Sequence, residues 1–286
     1  MNTTIVNRIL VLSIGLFALW GCDTGTSTAT DSGQADAATA QPQAAATPSP
    51  SEAPEDCTLV MGWDPWMPYQ YRAANGSVTG LDIEIASAAA ASAGCALETR
   101  EGSWVEHLQA LESGELDFVG GASHTPAREE FGRFTEPYRT EEFVLFVVTE
   151  DSPISGDSLA AVLEGGATIG TVAGFYYGGA VADLQAAGDY SGQFTEAEIS
   201  DLNFQALVRG DISAVLEDPY VGAALLRVDG LADQVEEYPV EISTGEVSFM
   251  FSRKAVDDAT YQRFSEALER MRSSGALESI LDRYRD

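Results

Sequence analysis

The chain has 286 residues, of which 45 are acidic and 15 are basic, so its formal charge is −30 at pH 7. So negative a protein repels nucleic acid and anionic membrane surfaces, and neither is expected as a partner. With 45% hydrophobic residues, the chain is able to bury the core of one or two domains.

The first residues have the composition of an export signal. Arg8 is the only charged residue before Asp23, and an apolar or small run over 9–20 is too short to cross a bilayer comfortably. We predict a signal peptide over 1–21 and lipidation of Cys22, because the segment resembles a bacterial lipobox, although Trp20 stands where a small residue is usual. Cleavage without lipidation is the alternative. In the lipoprotein-sorting rule of enteric bacteria, an aspartate after the lipidated cysteine, here Asp23, implies retention at the inner membrane. We therefore expect the protein in the periplasm, anchored to the inner membrane by an N-terminal lipid.

The segment that follows Cys22 lacks the residues that form a hydrophobic core. Residues 23–55 contain no aromatic residue, lysine or arginine. Such a composition cannot bury enough apolar surface to offset the entropy of ordering. A disordered, lipid-anchored linker is therefore predicted over 22–56.

From Cys57 onward, strand-like and helix-like segments alternate. The predicted strands are 57–63, 96–100, 116–121, 143–149, 168–172, 212–216 and 247–252. The predicted helices are 81–93, 104–113, a helix opened by Thr125 and Pro126, 174–187, 202–208, 219–228, 261–273 and 277–284. This alternation is typical of an α/β fold with a largely parallel sheet.

Cys57 and Cys95 stand at the N-terminal ends of the first two predicted strands. Neighbouring strands are about 5 Å apart, which is within reach of a disulfide. Because an exported protein is in an oxidising compartment, we predict a disulfide between them. Two unrelated buried thiols are the alternative.

Several short motifs follow one another along the chain in a characteristic order. They are GLDIEI at 80–85, Trp104, SHTPAR at 123–128 and FTEPY at 134–138. Their order resembles that of the bacterial extracellular solute-binding proteins, family 3, which serve polar amino acid transporters. The resemblance covers Cys57 to about Tyr284.

The resemblance implies the two-lobed fold of type II periplasmic binding proteins. Each lobe is a mixed, mostly parallel sheet flanked by helices, and two hinge strands let the lobes close on a ligand. The expected division is lobe 1 over 57–145 and 250–286, and lobe 2, with the hinge strands, over 146–249.

An α-amino acid needs a bidentate cation for its carboxylate and a fixed anion for its ammonium group. Arg128 is predicted to bind the carboxylate with Ser123 and Thr125, because it lies in the first turn of its helix. The alternative is a surface ion pair with Glu129 or Glu130.

The resemblance assigns the ligand ammonium to Asp218, for which an ordinary helix cap is the alternative role. It implies further ligand contacts from Asp64, Trp66, Tyr69, Trp104, Gly121 and Tyr176. For Trp66 and Trp104 the alternative is a place in the plain core. Tyr176 departs from the small hydroxyl residue of many relatives, which leaves the size of the ligand open.

The predicted function is capture of an amino acid between two lobes and its delivery to an ABC transporter permease. Asp64, Glu217 and Asp218 favour a polar or basic ligand. No catalytic residue, cofactor or metal is expected, and the protein is expected to be a monomer that touches the membrane only through its lipid.

Two other functions stay open. One is a periplasmic enzyme on the same scaffold, similar to cyclohexadienyl dehydratase, and the other is a ligand-sensing lipoprotein. An enzyme would need a positioned acid or base. His107 is expected on the surface of its helix, and His124 is close to the predicted cleft without an evident partner.

Overall fold

The computed structural model describes residues 57–150, 152 and 154–284. The predicted signal peptide, Cys22 and the linker over 22–56 lie outside the described residues. Within the described part of the chain, no helix is both long and apolar enough to cross a membrane.

The described residues form eleven strands and nine helices. The strands are β1 (Thr58–Trp63), β2 (Tyr71–Arg72), β3 (Val78–Thr79), β4 (Ala96–Glu101), β5 (Phe118–Ser123), β6 (Gly132–Phe134), β7 (Arg139–Val148), β8 (Ile169–Val172), β9 (Phe194–Ala197), β10 (Ala214–Glu217) and β11 (Val235–Ser252). The helices are α1 (Leu81–Ser92), α2 (Trp104–Ser113), α3 (Pro126–Glu129), α4 (Leu159–Glu164), α5 (Gly179–Ala186), α6 (Ser200–Arg209), α7 (Pro219–Val228), α8 (Asp258–Ser273) and α9 (Ala276–Asp282).

The main sheet has the order β4-β1-β5-β11-β7-β10-β8-β9, with β6 paired to β11. Strands β4, β1 and β5 are mutually parallel, and so are β9, β8 and β10. We call these the first and second strand groups. Between them run β11, antiparallel to β5, and β7, antiparallel to β10. The predicted α/β fold with a mostly parallel mixed sheet is confirmed.

The long strands β7 and β11 connect the two groups. They pair with each other from Val235 opposite Val148 to Val247 opposite Arg139. Sequence analysis predicted only the last six residues of β11, because 235–246 contains four glutamates, Pro239 and Gly245 and lacks a continuous apolar run. The predicted lobe boundaries at 145 and 250 fall inside these two strands and stay a prediction.

Each strand group has its own apolar core. On the first, Phe118 stacks on Phe251 with ring centres 4.7 Å apart, and Phe264 of α8 lies 5.4 Å from Phe118. On the second, Phe146 of β7 meets Phe204 of α6 at 5.3 Å. Because each strand group buries its own apolar side chains, each group holds the residues at its edge in fixed positions.

Cys57 and Cys95 are joined by a disulfide, as predicted, with Cα atoms 4.5 Å apart. The bond joins the starts of β1 and β4, where Thr58 lies opposite Ala96 in a parallel pair.

The predicted helix over 174–187 is wrong in its first five residues. Residues 174–178 form a turn and loop, and α5 begins at Gly179. Gly174 and Gly178 have φ values of +75° and +92°, which lie outside the helical region. In addition, the hydroxyl of Tyr177 accepts the backbone N–H of Val172 at 2.7 Å and holds the loop against the end of β8.

Candidate functional site

A small cavity lies where the ends of the two strand groups meet. It is lined by Asp64, Trp66, Gln70, Trp104, Gly120, Gly121, Ser123, Arg128, Glu141, Phe143, Phe175 and Tyr176. Its volume is about 20 Å³, measured by where the centre of a water molecule fits. One water needs about 10–15 Å³ on that measure. The cavity therefore has room for little more than one water molecule, and a larger ligand fits only when its walls move apart.

Arg128 presents a buried guanidinium to the cavity. Its Nη1 donates to the carbonyl oxygen of Ser123 at 2.9 Å, and its Nη2 donates to that of Gly174 at 3.0 Å. The guanidinium carbon lies 5.1 Å from the ring centre of Trp104. Burial lowers the pKa of Arg128 to about 10. Arg128 forms no ion pair within the described part of the chain, so a surface pair with Glu129 or Glu130 is not observed.

The helix that carries Arg128 is shorter than expected. α3 has four residues, and the backbone N–H of Arg128 is already donated to Thr125, to the carbonyl oxygen at 3.1 Å and to Oγ1 at 3.3 Å. A single turn has little dipole, and this N–H is not available to an anion. Attraction for an anion at this position therefore comes from the guanidinium.

Gly121 brings the backbone close to the cavity. Its φ is +65°, and a Cβ there would lie 3.2 Å from Nη2 of Arg139 and 3.5 Å from the ring of Trp66. Its N–H donates to the hydroxyl of Tyr138 at 2.7 Å. Only glycine meets both requirements without strain.

Aromatic rings form one wall of the cavity. Phe175 meets Trp66 and Trp104 edge to face, with ring centres 5.8 Å and 5.9 Å apart. The Nε1 of Trp104 donates to the carbonyl oxygen of Gly174 at 3.1 Å. These tryptophans line the cavity and also belong to the buried core, so the predicted role and its alternative are compatible.

Two buried carboxyl groups form another part of the cavity wall. Burial raises the pKa of Asp64 to about 7 and that of Glu141 to about 8. The side-chain amide of Gln70 donates to Oδ1 of Asp64 at 3.4 Å. The other amide atom of Gln70, Oε1, is buried and has no hydrogen-bond partner among the described residues. This wall accepts hydrogen bonds and is suited to a donor.

Behind that wall, Arg139 balances part of the acidic charge. Its Nε and Nη2 donate to the two carboxylate oxygens of Asp82 at 3.1 Å and 3.4 Å, and its Nη1 lies 3.6 Å from Oε1 of Glu141. The guanidinium also stacks over Tyr69, 3.9 Å from the ring centre. Arg139 thereby holds the buried carboxyl groups of Asp82 and Glu141 in place, because neither has water as an alternative partner.

Asp218 is buried and caps helix α7. Its Oδ1 accepts the N–H groups of Tyr220 and Val221 at 2.8 Å and 3.1 Å, and its Oδ2 accepts the hydroxyl of Tyr69 at 3.0 Å. It does not line the cavity. Glu217 is buried as well, and its Oε1 accepts Nε1 of Trp66 at 3.1 Å.

The structure brings most of the predicted ligand contacts together. Asp64, Trp66, Trp104, Gly121, Ser123, Arg128 and Tyr176 line the cavity, whereas Tyr69, Thr125 and Asp218 are not among its lining residues. Sequence analysis missed Glu141, Gln70, Gly120, Phe143 and Phe175. For Glu141 a signal existed, because Arg139, Glu141 and Phe143 share one face of β7, and charged residues on the buried face of a strand are rare.

Neither histidine lines the cavity. His107 was expected at the surface but is buried, with Nε2 3.0 Å from the carbonyl oxygen of Trp63. Its ring fills the space left by the missing side chains of Gly62 and Gly102. His124 is exposed and lies 2.8 Å from a carboxylate oxygen of Glu129. Across residues 57–284, apart from 151 and 153, no cluster of histidine, cysteine or acidic residues is arranged to hold a metal.

The sequence and the fold have recognisable relatives. A probable histidine-binding protein of Neisseria gonorrhoeae is 25% identical over 237 residues, which cover 82% of this chain and 85% of that protein. An ancestral arginine-binding protein with bound arginine superposes with a TM-score of 0.68 at 22% identity, over 80% of this chain and 99% of the other. A histidine kinase sensor domain similar to periplasmic binding proteins also gives 0.68, at 22% identity, over 80% and 96%.

The sequence model of one family matches residues 59–286, nearly all of the described part of the chain. The chain belongs to the bacterial extracellular solute-binding proteins, family 3.

Proposed function

We propose that this protein captures a free amino acid outside the cytoplasm, between its two strand groups, and delivers it to an ABC transporter permease. The observation that carries the proposal is Arg128, a buried cation whose donors are satisfied only by carbonyl oxygens within the described residues. A ligand carboxylate would replace the carbonyl of Gly174 with a charge-assisted, bidentate partner. The relatives named for histidine and arginine support a small polar ligand, with a basic one favoured.

The contacts across the cavity support a closing mechanism. Trp66, Tyr69, Trp104 and Arg128 extend from the first strand group and its adjoining loops. They donate hydrogen bonds to Glu217, Asp218 and Gly174 on the second group. A ligand that bonds to both groups stabilises the closed form, because it has contacts there that the open form lacks. A nearly filled cavity is what a closed, ligand-free form would have.

Export and anchoring belong to the same proposal. A signal peptide over 1–21 and a lipid on Cys22 would hold the protein at the outer face of the inner membrane. Mass spectrometry of the protein from membranes would test this, and an unmodified Cys22 would exclude the anchor.

The ligand is tested by thermal unfolding of the purified protein with each of the twenty L-amino acids. We expect one or a few of them to raise the unfolding temperature, since a ligand that binds only the folded state stabilises it. The bound amino acid should be recovered unchanged. No shift with any of the twenty at millimolar concentration would contradict the proposal.

Arg128→Ala should abolish that shift. Each charge-assisted hydrogen bond contributes about 1.5–3 kcal/mol, so loss of a bidentate pair should weaken binding by at least about 100-fold. Arg209→Ala is the matched control, because Arg209 is exposed and pairs only with Asp211 nearby in sequence. Equal affinity of wild type and Arg128→Ala would show that the carboxylate binds elsewhere.

An enzyme on this scaffold is the second candidate. The observation that favours it is the pair of buried carboxyl groups, Asp64 and Glu141, whose pKa values are raised to about 7 and 8. Such groups are suited to donate a proton near neutral pH. Conversion of a cyclic carboxylic acid such as prephenate, followed by chromatography, would favour this function over transport.

A further inference from the structure

Phe175 belongs to the second strand group but packs against both groups. It follows β8, and its ring meets Trp66 and Trp104 of the first group edge to face, with ring centres 5.8 Å and 5.9 Å apart. The same side chain packs against the apolar core of the second group. This half-buried ring therefore joins two buried tryptophans to the other group, and the contacts exist only while the groups are together.

The preceding residue, Gly174, contacts the first group through its backbone. Its carbonyl oxygen accepts Nη2 of Arg128 at 3.0 Å and Nε1 of Trp104 at 3.1 Å. A Cβ at this position would lie 3.3 Å from side-chain atoms of Trp104 and Val105, so glycine permits the close approach. One acceptor of the second group thus satisfies two donors of the first.

Together, Gly174 and Phe175 make the contacts of a bound amino acid. Such a ligand would place a carboxylate oxygen on Arg128 and its side chain beside Trp104. The guanidinium carbon of Arg128 lies 5.1 Å from the ring centre of Trp104, so both contacts fall within the length of one amino acid. A ligand whose carboxylate binds Arg128 would therefore bring its side chain to the space that the Phe175 ring fills.

Resting on the proposed function, we propose that Phe175 is a built-in competitor of the ligand, which fills the side-chain position in the ligand-free protein and is displaced when an amino acid binds. The backbone around it is fixed, because the hydroxyl of Tyr177 accepts the N–H of Val172 at 2.7 Å and the N–H of Phe175 donates to the carbonyl oxygen of Val172 at 3.2 Å. The ring itself is held by packing. It leaves the tryptophans when the groups separate, and it turns about its side-chain torsions when they close on a ligand.

This competition lowers the affinity for a ligand that needs the same space. Contacts that stabilise the ligand-free closed form reduce the fraction of molecules that are open to a ligand, and the apparent dissociation constant rises accordingly. Edge-to-face pairs of aromatic rings are favourable beyond the apolar area that they bury. Loss of the Phe175 ring should therefore strengthen binding, whereas loss of a ring that supports the ligand would weaken it. The sign of the effect separates the two roles.

The test compares the full-length wild type with Phe175→Ala, Phe175→Leu and Phe194→Ala by calorimetry. Phe194 is the matched control, because it is a half-buried phenylalanine of the second group that packs against the core of that group. Phe175→Leu keeps an apolar side chain and removes the edge-to-face ring contacts. The probes are L-arginine and L-histidine, followed by any other of the twenty that raises the unfolding temperature.

We expect Phe175→Ala to bind the probe at least about fivefold more tightly than wild type, because two aromatic contacts no longer compete with it. Phe175→Leu should lie between the two, and Phe194→Ala should stay within about twofold of wild type. Small-angle X-ray scattering of the ligand-free proteins should give Phe175→Ala a larger radius of gyration than wild type. Saturation with the probe should bring both to the same value.

Equal or weaker binding by Phe175→Ala overturns the proposal, because the ring then does not compete with the ligand, and the proposed function still holds. If the wild type binds none of the twenty amino acids, the proposed function fails and the scattering comparison alone decides. A larger radius in ligand-free Phe175→Ala then supports the competing contact, and an unchanged radius overturns it. Circular dichroism identifies misfolding, and if Phe175→Ala does not fold, Phe175→Leu takes its place in both measurements.

Discussion

At the scale of single residues, the site is an arrangement of buried charges. The cation Arg128 faces a wall that holds Asp64 and Glu141, and a second cation, Arg139, balances the acids from behind. Buried charges are tolerated only when they are paired or hydrogen-bonded, or when they give up their charge through a shifted pKa. Each of these three solutions occurs here, which makes the arrangement sensitive to single substitutions.

Arg139→Met should destabilise the fold by about 3–5 kcal/mol, because it leaves the buried carboxylate of Asp82 without its partner. Arg72→Met is a matched control, since Arg72 also pairs with an acid, Glu101, and lies over an aromatic ring, that of Trp63. That pair is half-exposed, so its loss should cost less than about 1 kcal/mol. Urea unfolding measures both, and equal losses would mean that the Arg139 pair has no special importance.

At the scale of elements, the site depends on where strands end and where loops turn. Arg128 and Asp64 follow β5 and β1, which are parallel strands of the first group, and Gly174 follows β8 of the second group, which runs in the opposite direction. The carboxyl ends of the two strand groups therefore meet at the cavity. The motif at 123–128 allowed Arg128 to be predicted because the motif is local. Glu141 is the third residue of β7, and its position on the buried face of that strand is the only local signal. The pairing of β7 with β11 and β10 decides that this face lies at the cavity.

The disulfide should stabilise the first strand group. Cys57 and Cys95 are 38 residues apart, and closing a loop of that length stabilises a protein by about 3–4 kcal/mol in the chain-entropy model. Replacing both with serine should lower the urea midpoint, and dithiothreitol should do the same to the wild type. The double variant should not respond to dithiothreitol. An unchanged midpoint in the variant would show that β1 and β4 are held by their packing alone.

At the scale of the whole molecule, acidic charge dominates at the surface and in the interior. The formal charge is −30, and burial raises the pKa of Asp64 and Glu217 to about 7 and that of Glu141 to about 8. Unfolded carboxyl groups titrate near about 4. At these three groups the folded chain therefore binds more protons than the unfolded chain between about pH 4 and 8.

Stability of the ligand-free protein should consequently fall as pH rises through that window. The contribution of these groups is fully present below the unfolded pKa and is lost as pH passes the folded pKa. We expect a larger free energy of unfolding in urea near about pH 5.5 than near about pH 8. Glu141→Gln and Glu217→Gln should each reduce the slope, and Glu142→Gln should not. Stability that increases over the same interval would contradict the raised pKa values.

Sequence alone determined the features that depend on local order along the chain. Export composition, strand and helix alternation, the cysteine pair and the Arg128 motif all follow from neighbouring residues, whose chemistry sets propensity, capping and charge. Only the tertiary structure decided which acids face the cavity, because burial and direction depend on strand pairing between distant segments. It placed Glu141 and Arg128 in the lining of one cavity, engaged Asp218 as a cap and buried His107 over two glycines. Electrostatic energy depends on distance and on exclusion of water, and neither can be read from spacing in a sequence.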